Sequence, residues 1–320
     1  MITDNITDIK TKLEALKDNL RKVIVGNENT IDMVLTALLC GGHVLLEDTP
    51  GTGKTTLAKA LAYSMDMSFS RIQFTPDLLP ADITGMNIYS RKEEEFKFVE
   101  GPIMTNILLA DEINRATPRT QSALLEAMQE GQVTVDGVSR KLSNPFFVIA
   151  TQNPIETAGT FPLPEAQLDR FTMQLSMGFP TAEEEKILLN RFGAEDPLSG
   201  IAPVVSVDEI AEMKKAAVGI TVHPLLVDYM VNIVQETRKN ASVSVGASPR
   251  ATISLQNAVK AYALISGRNY VVPQDIKDLA VPLLTHRMLF HSVTGYEEKA
   301  NIVRDILTRV EVPGEDFENK

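Results

Sequence analysis

The amino-acid sequence predicts an α/β domain, a parallel sheet between two layers of helices, over residues 1–180, followed by an all-α domain over residues 181–320. Short apolar segments of strand length alternate with helical patterns in the first part of the chain, and strand-like segments end after GFPTAEEEK. A glycine-rich turn also joins one strand to a helix. The 320 residues suit about two domains, and 44% hydrophobic and 23% charged residues are typical of globular proteins.

The chain opens with two helical patterns. Apolar residues at three- and four-residue steps predict an amphipathic helix that packs on the body of the protein: Ile6, Ile9, Leu13, Leu16, Leu20 and Val23. A second helix follows VIVGNENT, and we expect it to end at Gly41 and Gly42.

Four apolar segments predict the strands of the sheet: HVLLE, SFSRIQF, ILLADE and FFVIATQ. Three of them are apolar enough for burial on both faces, as in a parallel sheet covered by helices. Helical patterns such as TTLAKALAYSM and TQSALLEAMQEG lie between them. This alternation predicts a doubly wound arrangement.

Two further segments carry hairpin signals, at about residues 83–101 and 131–142. The first, MNIYSRKEEEFKFVEG, has strand-like ends around a charged turn, and the second, QVTVDGVSRKL, contains Asp136 and Gly137, a strong signal for a two-residue turn. The sequence alone leaves open whether these hairpins are functional or only decorate the surface.

Helix-start signals dominate the remainder of the chain. Thr181 with Glu184, and Ser206 with Glu209, have the spacing of capping boxes. Ser248 followed by a proline is typical of a helix start. We therefore expect only helices beyond residue 181.

Composition excludes several classes of protein. The formal net charge of -11 opposes a surface that neutralises many phosphates, so we do not expect nucleic acid as a partner. A single cysteine, Cys40, forms no internal disulfide or zinc site and suits a reducing cytosol. No signal-peptide pattern or apolar run of about 20 residues is present, so we expect a cytoplasmic protein without membrane insertion.

The stretch GGHVLLEDTPGTGKTTLAKALA matches the phosphate-binding pattern GxxxxGK followed by Ser or Thr, except that Asp48 replaces the first glycine. Aspartate tolerates positive φ, and at the start of the loop its carboxylate can point away from the phosphates. We predict a functional loop, with Lys54 on the β- and γ-phosphates of ATP and Thr55 on Mg²⁺. The expected contact residues are Pro50, Gly51, Thr52, Gly53, Lys54, Thr55 and Thr56.

Acidic and amide side chains follow two other predicted strands. Asp111 and Glu112 end the strand in NILLADEINRA, at the edge where open α/β sheets bind ligands. We expect Asp111 to hold Mg²⁺ and Glu112 to polarise the attacking water. Asn153, after FFVIATQ, can hold the same water, although Asn-Pro is equally natural as the start of a turn.

These motifs, together with PLPEAQLDRF and GASPRA, resemble the AAA+ ATPases, and their combination resembles the MoxR family from about Val25 to Met288. The resemblance implies that Lys54 and Thr55 belong to Walker A, Asp111 and Glu112 to Walker B, and Asn153 to sensor 1. It also implies that Arg170 is an arginine finger, which reaches the nucleotide of the neighbouring subunit, and that Arg250 is sensor 2, which closes the lid on the phosphates. The two hairpins match the helix-2 insert and the pre-sensor-1 insert of this branch. We also assign Val25 and Gly26 to the nucleotide-binding set.

Alternatives remain for the arginines. Arg170 can instead pair with Glu165 or Asp169, and Arg250 can be an ordinary surface residue. Arg115 and Arg119 follow Walker B and are further candidates for a subunit interface.

The resemblance implies Mg²⁺-dependent ATP hydrolysis in a homo-oligomeric, hexameric ring that remodels client protein complexes in a chaperone-like manner. Partners with von Willebrand factor A domains are expected by the same analogy. Other hypotheses are a nucleotide switch with little turnover, a helicase or metal-chelatase ATPase subunit, and a small-molecule kinase. Glu112 and Arg170 oppose the switch, the negative net charge opposes DNA, and a kinase has no use for Arg250.

Overall fold

The computed structural model describes residues 2–49, 51–153, 159–192, 196–293 and 295–314, without the side chains of residues 2–6 and 192. The helices are α1 Ile2–Arg21, α2 Glu28–Leu39, α3 Lys54–Ser64, α4 Pro80–Thr84, α5 Pro118–Glu130, α6 Glu165–Leu168, α7 Ala182–Phe192, α8 Val207–Val218, α9 Pro224–Thr237, α10 Pro249–Ile265, α11 Pro273–Leu284 and α12 Tyr296–Arg309. The strands are β1 Val44–Glu47, β2 Phe69–Gln73, β3 Gly85–Ser90, β4 Glu95–Glu100, β5 Ile107–Asp111, β6 Gln132–Val135, β7 Val138–Lys141, β8 Phe147–Gln152, β9 Met173–Leu175, β10 Val243–Val245 and β11 Leu289–Phe290. Single 3₁₀ turns cover Ile113–Arg115, Pro197–Gly200 and Thr285–Arg287.

The central sheet has five strands in the order β2-β5-β8-β1-β9, and every neighbouring pair is parallel. The predicted α/β class is confirmed. The edge strand β9 was not predicted, because its three residues are too short to show a periodicity.

Alternate residues of the central strands face two separate cores. In β1, Val44 and Leu46 face one core and Leu45 faces the other. Strands β5 and β8 divide in the same way, as expected for a sheet covered on both faces.

The first core continues from the sheet into the C-terminal helices. Buried residues of α1 and α2, including Leu16 and Leu35, belong to the same cluster as Leu255 and Leu279 of α10 and α11. The opening helix therefore packs on the body of the protein, as predicted. The helical part of the chain therefore packs against the sheet part, since the two share this core.

One prediction for the helical part is wrong. Strands β10 and β11 pair in an antiparallel two-stranded sheet, although only helices were expected beyond residue 181. Segments of three and two residues are below the length at which alternation can be recognised.

The hairpins β3–β4 and β6–β7 are antiparallel and contact each other. Asn87 donates a hydrogen bond to the Asp136 carboxylate (2.7 Å), and the Arg140 guanidinium lies 3.8 Å from the centre of the Phe98 ring. The two hairpins therefore form one connected surface.

None of the helices in the described residues is both long and apolar enough to cross a membrane.

Candidate nucleotide-binding site

The glycine-rich turn connects β1 to α3 at the carboxyl edge of the sheet. Gly51 and Gly53 have φ values of 91° and 88°, in the left-handed region that favours glycine. A Cβ atom on Gly51 would meet nothing within 4 Å, so the backbone conformation, not space, demands glycine there. Pro50 lies outside the described residues.

Lys54 closes the loop upon itself. Its Nζ donates hydrogen bonds to the carbonyl oxygens of Asp48 (2.9 Å) and Thr49 (3.3 Å). The ammonium group is thereby held beside the turn, in reach of an anion bound to the loop's N–H groups.

Asp48 is buried, and its carboxylate points to the segment after β9. It accepts hydrogen bonds from the Ser176 hydroxyl (2.7 Å) and from the backbone N–H groups of Met177 (2.7 Å) and Gly178 (3.1 Å). Asp48 is not among the residues with positive φ. The conformation for which glycine is usual is therefore absent here, and the aspartate has a separate structural role.

Asp111 and Glu112 share one partner, Thr151. The Thr151 hydroxyl donates to the Asp111 carboxylate (2.6 Å) and accepts from the Glu112 N–H (2.9 Å). Glu112 has a φ of 56°, unusual for a residue other than glycine, so this contact fixes a strained position.

Three polar side chains complete this acidic cluster. Arg71 on β2 pairs with Asp111 at 2.6 Å, while Gln73 and Arg115 each lie 2.9 Å from the Glu112 carboxylate. Sequence analysis did not identify Arg71, Gln73 or Thr151. The alternation of polar residues in SFSRIQF was the available signal for the first two, because β2 lies beside β5 in the sheet.

Four of these side chains, Arg71, Gln73, Asp111 and Glu112, line a polar cleft of about 410 Å³. The cleft is bounded by Gly51, Gly53, Lys54, Thr55, Thr56, Arg71, Gln73, Asp111, Glu112 and Asn153. An adjoining pocket of about 180 Å³ is mostly apolar and shares Gly51, Gly53 and Thr56 with the cleft. Its other lining residues include Val25, Asn27, Thr52, Met177, Gly178 and Leu188. Gly26, with a φ of 68°, does not line either cavity.

A polar cleft beside an apolar pocket suits the phosphates and the base of one nucleotide. Thr55 and Asp111 line the same cleft, and within the described ranges no cluster of three or more His, Cys, Asp or Glu side chains could hold a metal. Two protein oxygens are enough for Mg²⁺, which retains waters and binds phosphate oxygens. The residues present therefore fit a magnesium–nucleotide complex.

Arg170 and Arg250 do not line this cleft. The alternative ion pair of Arg170 with Glu165 or Asp169 is not formed; Asp169 instead lies 3.7 Å from Arg250 and 3.3 Å from Arg287. Arg250 is 61% exposed in the first turn of α10. Of the two looser candidates, Arg115 contacts Glu112 and Arg119 is exposed.

The segment that carries Arg170 is hydrogen-bonded to the helical part of the chain. Arg287 donates to the Phe171 carbonyl oxygen (2.9 Å), and the Nε2 atom of His286 lies 2.9 Å from the same oxygen. Burial lowers the pKa of Arg287 to about 10 and that of His286 to about 3. A neutral imidazole and a buried guanidinium therefore hold this segment in place.

Comparison with known proteins identifies the class. Residues 43–173 match the ATPase family associated with various cellular activities (AAA), and residues 235–306 match the AAA lid domain. A crystal structure from Cytophaga hutchinsonii, described as that of a candidate ATPase, has a TM-score of 0.89 and 37% identity, covering 97% of this chain and 98% of its own. Fold and cleft together define an AAA+ ATPase with its lid.

The curated relatives narrow the assignment. Chaperone MoxR1 of Mycobacterium tuberculosis is 43% identical over 87% of this chain and 75% of its own length. Protein MoxR of Paracoccus denitrificans is 32% identical over 89% and 90%, and YeaC of Bacillus subtilis is 48% identical over 96% of each chain. The chain belongs to the MoxR family of AAA+ ATPases.

Proposed function

We propose that this protein hydrolyses ATP with Mg²⁺ in the cleft between the glycine-rich turn and the Thr151-linked pair Asp111 and Glu112. The observation that carries the proposal is the convergence of Lys54, Thr55, Asp111 and Glu112 on one cleft beside an apolar pocket. In this assignment the turn and Lys54 bind the phosphates, Glu112 polarises the attacking water, and Asn153 orients that water. Mg²⁺, held by Thr55 and Asp111, would neutralise charge on the phosphates.

The two arginines outside the cleft support a shared active site. Positive charge at the transferred phosphate is needed in the transition state, and neither Arg170 nor Arg250 lines the cavity of its own chain. We propose that Arg170 serves the nucleotide of a neighbouring subunit, and that Arg250 does so too, in place of the lid closure that the resemblance implies. A head-to-tail contact repeated in this way closes into a ring, for which we propose six subunits.

We propose that ATP hydrolysis drives the remodelling of a client protein. The connected hairpins expose apolar side chains, among them Phe96 (72% exposed) and Ile88 (49% exposed), which suit contact with another protein. The chaperone name of MoxR1 agrees with this output. In the same proposal, the client carries a von Willebrand factor A domain, and this protein acts in the cytoplasm.

Mixing two inactive variants tests the shared site. Glu112→Gln leaves Arg170 intact but disables its own cleft, whereas Arg170→Ala leaves its own cleft intact and fails to serve the neighbour. Each variant alone should hydrolyse ATP about 10³-fold more slowly than the parent protein. An equimolar mixture should recover activity, because some Arg170→Ala clefts then receive Arg170 from a neighbour.

Arg309→Ala, at an exposed position of α12, serves as the matched control and should retain the parent rate. A mixture as inactive as its components would rule out a shared site with Arg170. ATP binding without turnover by the parent protein, at any concentration, would favour the nucleotide switch.

A further inference from the structure

Asp48 is attached to two parts of the molecule at once. Its backbone carbonyl accepts the hydrogen bond from Lys54 (2.9 Å), and its carboxylate accepts three hydrogen bonds from residues 176–178. Residues 176–181 connect β9, the last strand of the sheet, to α7, the first helix of the helical part. Asp48 therefore joins the glycine-rich turn to the connection between sheet and lid.

The same connecting segment forms a wall of the cavity. Met177 and Gly178 line the apolar pocket together with Gly51 and Gly53 of the turn. A Cβ atom on Gly53 would lie 3.9 Å from the Met177 Cε atom. Any displacement of this segment relative to the turn would change the shape of the pocket.

Lys54 gives a reason for such a displacement. A triphosphate in the cleft would compete for the Lys54 ammonium, and the carbonyl oxygens of Asp48 and Thr49 would then lose charge-assisted hydrogen bonds. A shift of this peptide would move the Asp48 side chain, whose carboxylate is hydrogen-bonded directly to Met177 and Gly178.

We propose that Asp48 is a positioning residue that couples nucleotide binding in the cleft to movement of the lid. This inference rests on the proposed function, since it requires a nucleotide in the cleft. It also explains why aspartate stands where the phosphate-binding pattern has glycine. A glycine at position 48 would retain the carbonyl contact with Lys54 and lose all three contacts with residues 176–178.

The test measures nucleotide affinity and lid position separately. Dye-labelled cysteines at the exposed positions 126 on α5 and 228 on α9, in a Cys40→Ala background, report the distance between sheet and lid by energy transfer. Titration with a fluorescent ATP analogue and Mg²⁺ gives the affinity. Asp48→Gly removes the coupling, Asp48→Asn retains the size of the side chain, and Ser176→Ala removes one of the three donors.

In the parent protein, nucleotide should change the distance between the labels. Asp48→Gly should bind the analogue with an affinity within about threefold of that of the parent, and should lose the distance change. A change of this size is below the tenfold change in affinity that corresponds to about 1.4 kcal/mol. Its kcat should fall with little change in KM. Asp48→Asn should show a reduced distance change, and Ser176→Ala should stay close to the parent. Thermal unfolding of each variant verifies that it is folded.

Several outcomes would overturn the inference. The distance change could persist in folded Asp48→Asn and Asp48→Gly, or loss of affinity alone could account for their slower turnover. A parent protein that binds the analogue without any distance change would also exclude coupling, while leaving the proposed function intact. A parent that does not bind the analogue at all would instead contradict the proposed function.

Discussion

The Thr151 hydroxyl lies 2.6 Å from a carboxylate oxygen of Asp111 and donates a hydrogen bond to it. The same hydroxyl accepts the Glu112 N–H at 2.9 Å, and the Thr151 side chain is completely buried. One hydroxyl thus orients the proposed magnesium ligand and the residue that polarises water. A buried polar group with two partners is costly to remove, because both partners are left unsatisfied.

Thr151→Val should lower kcat by at least about tenfold, equivalent to about 1.4 kcal/mol, with a much smaller change in KM for ATP. The methyl group fills the space of the hydroxyl but cannot hold Asp111 or the Glu112 N–H. Thr151→Ser retains the hydroxyl and is the matched control. Steady-state ATP hydrolysis at several Mg²⁺ concentrations measures the effect, and a Thr151→Val rate within twofold of the parent would show that the hydroxyl is dispensable.

Arg71 forms an ion pair with the carboxylate of Asp111, the group that the proposed function assigns as a ligand of Mg²⁺. The guanidinium lies 2.6 Å from Asp111 and is 47% exposed. Arg71→Gln should lower the Mg²⁺ concentration for half-maximal hydrolysis about two- to fivefold, since a half-exposed pair contributes about 0.5–1 kcal/mol. Magnesium titration at saturating ATP measures the shift. Arg304→Gln, at an exposed pair on α12, is the control, and an unchanged or higher magnesium requirement would contradict the competition.

The sequence predicted the elements and motifs that are local in the chain. It did not predict contacts between residues that only the fold brings together. The strand ending in Asp111 and the turn around Lys54 were recognisable because each motif is local. Thr151 is 40 residues from Asp111, and the contact depends on β5 and β8 being neighbours in the sheet. The Asp48 contact with residue 177 spans 129 positions, so no local pattern could reveal it.

Arg250 should act on the nucleotide of a neighbouring subunit. It lies 3.7 Å from Asp169 and outside the cleft of its own chain. Arg250→Ala should lower the rate by about tenfold or more, as expected for loss of one electrostatic contact to the reacting group. Equimolar mixing with Glu112→Gln should restore part of that activity. Failure to recover, when the corresponding Arg170→Ala mixture does recover, would indicate that Arg250 serves its own cleft through closure of the lid.

His43 should make stability depend on pH in a defined window. The imidazole is buried, with the Nδ1 atom accepting the Val148 N–H (3.1 Å) and the Nε2 atom 3.1 Å from the Met128 carbonyl oxygen. Burial lowers the pKa of His43 from 6.5 to about 4. Between these two values the unfolded chain binds a proton that the folded chain does not. The contribution of His43 to the free energy of unfolding should therefore be fully present above pH 6.5 and be lost as the pH decreases toward 4.

The contribution of His43 over this window is about 3 kcal/mol, from about 1.4 kcal/mol per pH unit. Urea unfolding between pH 7 and 5, a range where most carboxylates remain ionised, should show about 2 kcal/mol of this loss. His43→Gln should be less stable at pH 7 and have a shallower dependence on pH, because one of two buried histidines is gone, while His286, whose pKa burial also lowers, keeps its own contribution. His291→Gln, which removes an exposed histidine, is the matched control. Parallel pH profiles for the parent and His43→Gln would show that the buried imidazole does not govern acid stability, since removal of this one group would then leave proton uptake on unfolding unchanged.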